Sequence, residues 1–337
     1  MVGIKDDYSK TLYKAFKVST KNKVKLIKRE ELKEGEKLSI VSNTMFKAMF
    51  FNEKRLKYSA KLFSYLLDVD YDILIKNMRL SKTELDKDRE INRELRCDFV
   101  AEIDNTYLNL EMNNNASEDT MRRNRDYTFK LYSSSDTLNN KRYNYKQVIS
   151  INLNNFKFEG LDESFYIETI GNKYYRATND IIIFQIFIPN IINKCYNKEK
   201  LDNLESFIMA LIEKDVDIAK KYALGDEIVK DYIKEATTTS FDNGFGESYD
   251  HEYADREQSY NDGYDEGIEK GIEKGRSDAL KDMVISLFKN GASIDLISKS
   301  TKLNKEEIDK IINRKYININ NFVDSTGITK EELEKSQ

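Results

Sequence analysis

Residues 98–113 read DFVAEIDNTYLNLEMN, and two of their carboxylates carry the most legible chemistry in the chain. Phe99, Ala101 and Ile103, then Leu108, Leu110 and Met112, alternate with other residues on either side of Asp104 and Asn105. Period two around a dipeptide that tolerates turn conformations predicts a β-hairpin with its tip at 104–105. Pairing across that tip sets Asp98 opposite Glu111. Opposed side chains stand about 5 Å apart at Cβ, and like charges there destabilise a sheet. Two acids so placed call for something positive between them. Mg²⁺, a hard cation, leans on one or two carboxylates, keeps several waters and meets phosphate oxygens. Bound there, it would neutralise a phosphodiester and lower the pKa of a water aligned for attack. Asn113 shares the polar face, and Glu102 reads as an ordinary surface acid. Arg122, Arg123, Arg125 and Lys130 follow closely, where cations can hold a polyanionic backbone. The competing reading is a solvated hairpin face, since antiparallel sheets commonly wet one side.

The flanking pattern supplies elements to hold this hairpin. Residues 43–69 place Met45, Phe46, Met49 and Phe50, then Leu62, Phe63, Leu66 and Leu67, at helical spacing. Residues 72–80 predict a short strand or connector. Residues 117–135 predict a helix, with Ser117 as N-cap and Glu118 and Asp119 in its first turn. Residues 146–154 and 181–189 predict strands, the second apolar on both faces and therefore central. Residues 199–213 predict a helix with Leu201, Leu204, Ile208 and Leu211 on one face. Helix, hairpin, helix, strand, strand, helix is the order of an α/β core with a mixed sheet.

Composition narrows the chemistry. A formal net charge of −4 over 337 residues leaves no global basic field, so any nucleic-acid site must be a local patch. No apolar run reaches membrane-spanning length, and no signal-peptide core precedes the first helix. Cys97 and Cys195 stand apart without metal-ligand spacing, which fits a reduced, cytoplasmic setting. With His251 the one histidine, His-based zinc sites and Ser-His or Cys-His catalysis are set aside.

Residues 1–35 read as a basic, loosely held leader, and 36–240 as the main domain. Residues 241–277 are charged and glycine-striped, with Gly263, Gly267, Gly271 and Gly275 every four residues and Ile268 and Ile272 between them. As a helix, this stripe would let a partner helix approach closely and offset about 1 kcal/mol of lost propensity per glycine. That reading predicts a homo-oligomer, and a flexible charged linker is the other. Residues 278–337 predict a small helical tail with an internal repeat, STKLNKEEIDK (300–310) and STGITKEELEK (325–335). Asn304 with Glu307, and Thr329 with Glu332, have capping-box spacing. The segment 278–313 is compatible with a helix-turn-helix whose Lys305 and Lys310, with Arg314 just beyond, meet phosphates. Glu306, Glu307 and Asp309 would oppose that, and a packing module fits the same pattern.

An ordered series of stretches resembles a known family. NTMFKAMF (43–50), RCDFV (96–100), LNLEMNN (108–114), RRNRDYTFKLY with Arg123, Tyr127 and Tyr132, and YNYKQVISINLNNF (143–156) are similar to PD-(D/E)XK nucleases, as is the GIEKGIEKG region with its helical tail. Within them, the closer resemblance is to the transposase-like, recombination-promoting nucleases, over roughly residues 40 to 310. The resemblance implies a restriction-endonuclease-like core, its mixed central sheet flanked by helices, plus an α-helical C-terminal extension. It implies a Mg²⁺-dependent DNA endonuclease, Mn²⁺ serving in its place, linked to recombination or transposition. Asp98 and Glu111 would ligate the metal with the main-chain carbonyl of Met112, and Asn113 would position water or substrate. Arg123, with Arg122, Arg125 and Lys47, would contact DNA phosphate. Two positions depart from the family pattern. Its last motif position, usually Lys or Gln, is Asn113, and a helix position often held by Asp is Asn43. An amide orients water but brings no charge. The alternative is therefore a catalytically weak or inactive DNA-binding or assembly protein that retains the fold.

Overall fold

The computed structural model describes residues 18–85, 95–114, 118–135, 145–169 and 180–312. The chain divides into two compact units, Met1–Asp255 and Arg256–Gln337.

The first unit is built on six strands, β1 (Arg79–Leu80), β2 (Phe99–Ile103), β3 (Thr106–Asn113), β4 (Gln147–Asn154), β5 (Phe165–Thr169) and β6 (Ile181–Phe187). They lie side by side in the order β1-β2-β3-β4-β6-β5. β3 runs parallel to β4 and β4 to β6, while the other neighbours are antiparallel. The helices are α1 (Asn43–Phe50), α2 (Leu56–Leu67), α3 (Tyr71–Asn77), α4 (Glu118–Ser134), α5 (Ile188–Tyr196), α6 (Asn203–Ile212), α7 (Val216–Tyr222), α8 (Glu227–Ser240) and α9 (Asn243–Lys289), the last running on into the second unit. This is the expected α/β architecture, a mixed sheet flanked by helices and followed by C-terminal helices.

The two faces of the sheet differ. Leu108, Leu110 and Met112 of β3 and Ile149, Ile151 and Leu153 of β4 point into the main core, completed by apolar stripes of α1, α2, α6 and α8. On the other face, α4 lays Tyr127 and Leu131 over Cys97, Val100 and Val148. A strand covered on both faces reads as a continuous apolar run, as β6 does. The strand expected to reach residue 189 stops at Phe187, because Pro189 lacks an N–H for a ladder but suits the first turn of α5. Residues 72–80 divide into α3, whose N-cap Asp70 accepts from the N–H groups of Asp72 and Ile73, and β1.

Of the expected leader, residues 18–35 are held on the first unit. Val18–Ser19 pairs with Lys157–Phe158, and the Asn155 carboxamide bonds both the N–H and the carbonyl of Val24 at 2.8 Å. Leu26, Ile27 and Leu32 pack on the core, apolar anchors that the basic composition conceals.

In the second unit, the end of α9, α10 (Ile294–Thr301) and the helical residues 305–312 enclose Val284, Ile297, Ile308 and Ile312. Gly291, at φ 80°, ends one helix, and Ser293 caps the next by accepting from the N–H of Leu296. Asn304 and Glu307 form the expected capping box, with reciprocal bonds of 2.9 Å. Lys305 pairs with Asp295 at 2.8 Å. Ser117, Arg314 and the second repeat copy lie outside the described residues. The glycine stripe is helical, and a Cβ added at Gly263, Gly267, Gly271 or Gly275 would meet nothing within 4 Å. Among the described residues no helix is long and apolar enough to cross a membrane.

Candidate active site

The site begins with a turn. β2 and β3 close through Asp104 and Asn105, with Asp104 at φ 48°, a left-handed conformation that Asp tolerates better than most residues. The ladder pairs Ile103 with Thr106 and Phe99 with Leu110, so Asp98, one step further, lies across from Glu111 as the spacing predicted. Two hydrogen bonds fix the pair: the Asp98 N–H donates to Glu111 Oε1 (3.1 Å) and the Met112 N–H to Asp98 Oδ2 (3.2 Å). The face is not solvated. Glu111 is 2 % exposed, and 23 % of the Asp98 side chain reaches solvent. Burial raises the pKa of both acids, and the charge of Asp98 pushes Glu111 further, well above the ordinary range. The Met112 N–H, Lys47 and Arg123 work the other way on Asp98. Burial and the two acids also push the Cys97 thiol up, which keeps it protonated and inert.

Two cations flank the acids. Lys47, on α1, stands with Nζ 4.0 Å from Asp98 Oδ1, its side chain 48 % exposed. Arg123, on α4, lies over the Tyr127 ring at 5.7 Å and reaches to 3.5 Å from Asn113 Oδ1. Its charge lowers the pKa of both Asp98 and Glu111. Arg122 is exposed on the same helix. Arg125 turns to β5, where its Nε donates to Glu168 at 3.1 Å. Glu102 pairs with Lys146, apart from the site.

The start of α1 holds a residue that sequence reasoning missed. Glu252, on α9 within the first unit, accepts from the Ser42 hydroxyl (2.7 Å) and from the N–H groups of Asn43 (2.7 Å) and Thr44 (2.8 Å). Burial opposes its charge, yet these donors outweigh burial and hold its carboxyl below the ordinary value. An anion at a helix N-terminus also satisfies the dipole. The N-terminus of α1 thus takes its carboxylate from a residue about 210 positions away, which no local pattern announces.

Beyond Glu111, a buried amide chain crosses the sheet. Asn113, 2 % exposed, donates through Nδ2 to Asn154 Oδ1 (3.1 Å). Asn154 Nδ2 donates to Gln185 Oε1 (3.0 Å), and Gln185 Nε2 to Glu168 Oε1 (3.0 Å). Beside this chain, the carboxamides of Asn124 on α4 and Asn152 on β4 have neither nitrogen nor oxygen bonded among the described residues. Asn152 is the register neighbour of Glu111 in the parallel β3–β4 pair. A buried polar group left unpaired costs about 1–3 kcal/mol, so these two amides favour a polar partner. Carboxylate and amide oxygens, without imidazole or an ionised thiol, suit a hard divalent cation rather than zinc. Among the described residues no three His, Cys, Asp or Glu side chains cluster to hold a metal. Two carboxylates are enough for an ion that takes its remaining ligands from water and phosphate.

Compared with known proteins, the chain matches the family model described as PD-(D/E)XK nuclease family transposase over residues 42–271. No curated protein and no solved structure matches it. The match opens at the residue that caps α1, takes in the acid pair and the sheet around it, and ends in the glycine stripe of α9. It covers more than half of the 337 residues, and the chain belongs to the PD-(D/E)XK nuclease family transposases.

Proposed function

We propose that the chain is a metal-dependent DNA endonuclease that hydrolyses phosphodiester bonds, linked to DNA recombination or transposition. One observation carries the reading: two carboxylates locked opposite each other, one of them buried and pushed toward its neutral form. A like-charged buried pair is unfavourable alone and becomes favourable around a cation. Mg²⁺, or Mn²⁺ in its place, would supply charge neutralisation at the phosphodiester and an acidified water. Asp98 and Glu111 would hold the ion with the main-chain carbonyl of Met112, and would release protons as it binds.

Lys47 brings to Asp98 the positive charge that Asn113 cannot supply. Asn113 would position water or substrate, its carboxamide lying between Arg123 of α4 and Asn154. Arg123 and Arg122 would contact DNA phosphate, as would Arg125 through the N–H groups that Glu168 leaves free. Such contacts fix position but carry no sequence information. Self-association through the glycine face of α9 and a cytoplasmic setting complete the reading.

A catalytically weak DNA-binding or assembly protein is the alternative. The enclosure of the Asn113 amide within the sheet favours it. Plasmid nicking in Mg²⁺, Mn²⁺ or EDTA, with wild type, Asp98→Ala and Glu111→Ala, separates the two. Divalent-dependent nicking lost in both variants supports the nuclease. A folded wild type that binds DNA equally in EDTA and nicks under no condition overturns it.

A further inference from the structure

We infer that the carboxamides of Asn152 and Asn124 form the inner wall of the ion site, receiving water carried by a hydrated divalent cation on its buried side. This rests on the metal-dependent reading of Asp98 and Glu111 and adds to it residues outside the acid pair and its motif.

Both amides are sealed from solvent, Asn152 at 0 % and Asn124 at 1 % exposed. The other amides of this layer each make at least one bond. Asn113, Asn154 and Gln185 bond one another, and Asn109 donates to Ser150 at 2.9 Å while its Oδ1 has no partner among the described residues. Against that background, two carboxamides with both polar atoms idle are not a general looseness of packing. Their placement is specific. Asn152 occupies the position beside Glu111 on the same face of adjacent parallel strands, which lie about 4.8 Å apart. Asn124 comes down from α4, which packs over β3, β4 and β6. A buried water makes about three hydrogen bonds to polar groups otherwise left unsatisfied. An ion on Asp98 and Glu111 keeps several waters. The ones turned inward need acceptors, and the unbonded amide oxygens of Asn152, beside Glu111, and Asn124 would supply them. Neither residue touches substrate in this arrangement, so both are positioning residues, acting through the ion's water.

Calorimetric titration of the full chain with Mn²⁺ tests this, alongside thermal melts of the metal-free protein. Loss of partners one step from a metal's own ligands typically costs about 10–100-fold in affinity. Asn152→Val and Asn124→Val are each expected to weaken Mn²⁺ binding by that order without lowering the metal-free melting temperature. Asn152→Asp, which keeps an oxygen and adds charge, is expected to restore binding while lowering the metal-free melting temperature. Wild-type binding that is lost in Asp98→Ala but stays within about twofold in both valine variants overturns the inner wall and leaves the acid pair standing. If wild type binds no Mn²⁺, the metal-dependent reading and this inference fall together. If a valine variant fails to fold, Asn152→Asp decides: binding at the wild-type level supports the wall, and loss of binding in a folded Asn152→Asp protein overturns it.

Discussion

A carboxyl buried as deeply as Glu111 weakens the metal-free fold once it ionises, and a cation bound beside it as proposed would remove that cost. Its folded pKa stands well above the ordinary 4.5, so the native state holds the proton over a range where the unfolded chain has lost it. The stability this proton brings is present below pH 4.5 and is lost as pH rises through the raised value. Glu111→Gln removes that loss. In melts of the metal-free protein near neutral pH, the variant is expected to gain a few degrees over wild type, the order set by about 1 kcal/mol in a domain this size. The gain should vanish at acid pH, and Mn²⁺ should no longer shift the melting temperature. Lys37 shows the opposite ionisation. It is fully buried, donates to the carbonyl of Leu211 at 3.1 Å, and is depressed by burial to about 7, with Glu213 partly offsetting this. Between about 7 and the ordinary 10.5 the unfolded chain binds the extra proton, so stability rises with pH through that window. Urea unfolding from pH 7 to 9.5 should show this rise in wild type and a flatter profile in Lys37→Met.

At the scale of elements, Glu252 joins α9 to α1. Glu252→Ala leaves the Ser42 hydroxyl and two amide donors of α1 without their acceptor. Losing a helix cap costs roughly 1–2 kcal/mol, and a lower urea midpoint with an unchanged m-value should report it. Because α1 also carries Lys47, the variant should weaken the contact with Asp98, read as a shift in the pH dependence of Mn²⁺ binding. Legibility varied with the kind of signal. The hairpin was readable down to the pairing of single residues, because period two fixes which side chains share a face and the Asp104–Asn105 turn fixes the tip. β5 escaped because it is a five-residue edge strand that leaves Phe165 and Ile167 exposed. α7 is seven residues long, too short for a period to declare itself, and α8 carries Thr237, Thr238, Thr239 and Ser240 in its last turn. Residue types pointed to Asp98 and Glu111, but Asn113 enclosed in an amide chain and Glu252 on a distant helix depend on contacts that no local pattern encodes.

For the whole molecule, the proposed self-association would run through the glycine face of α9. Gly267→Ala and Gly271→Ala place methyls where one chain has nothing to meet them, so each should strengthen the helix by about 1 kcal/mol. The same methyls would push closely packed copies away from each other. Circular dichroism should therefore rise while the mass from light scattering falls. A rise in helix with an unchanged mass would rule out association through that face.

The way the sheet is wired also sets an order in time. The β2–β3 hairpin closes over two residues, and hairpins form in roughly 1–10 μs. The β3–β4 and β4–β6 pairings are parallel and join distant stretches, which fold more slowly because long loops must close first. Asp98 and Glu111 therefore face each other while still wet, before α4 and the amide chain dry the space around Glu111. If the pair binds a divalent cation as proposed, the nascent chain would meet that ion on an open hairpin before a buried one, and divalent salt in the refolding buffer should change the rate at which α4 closes over the sheet.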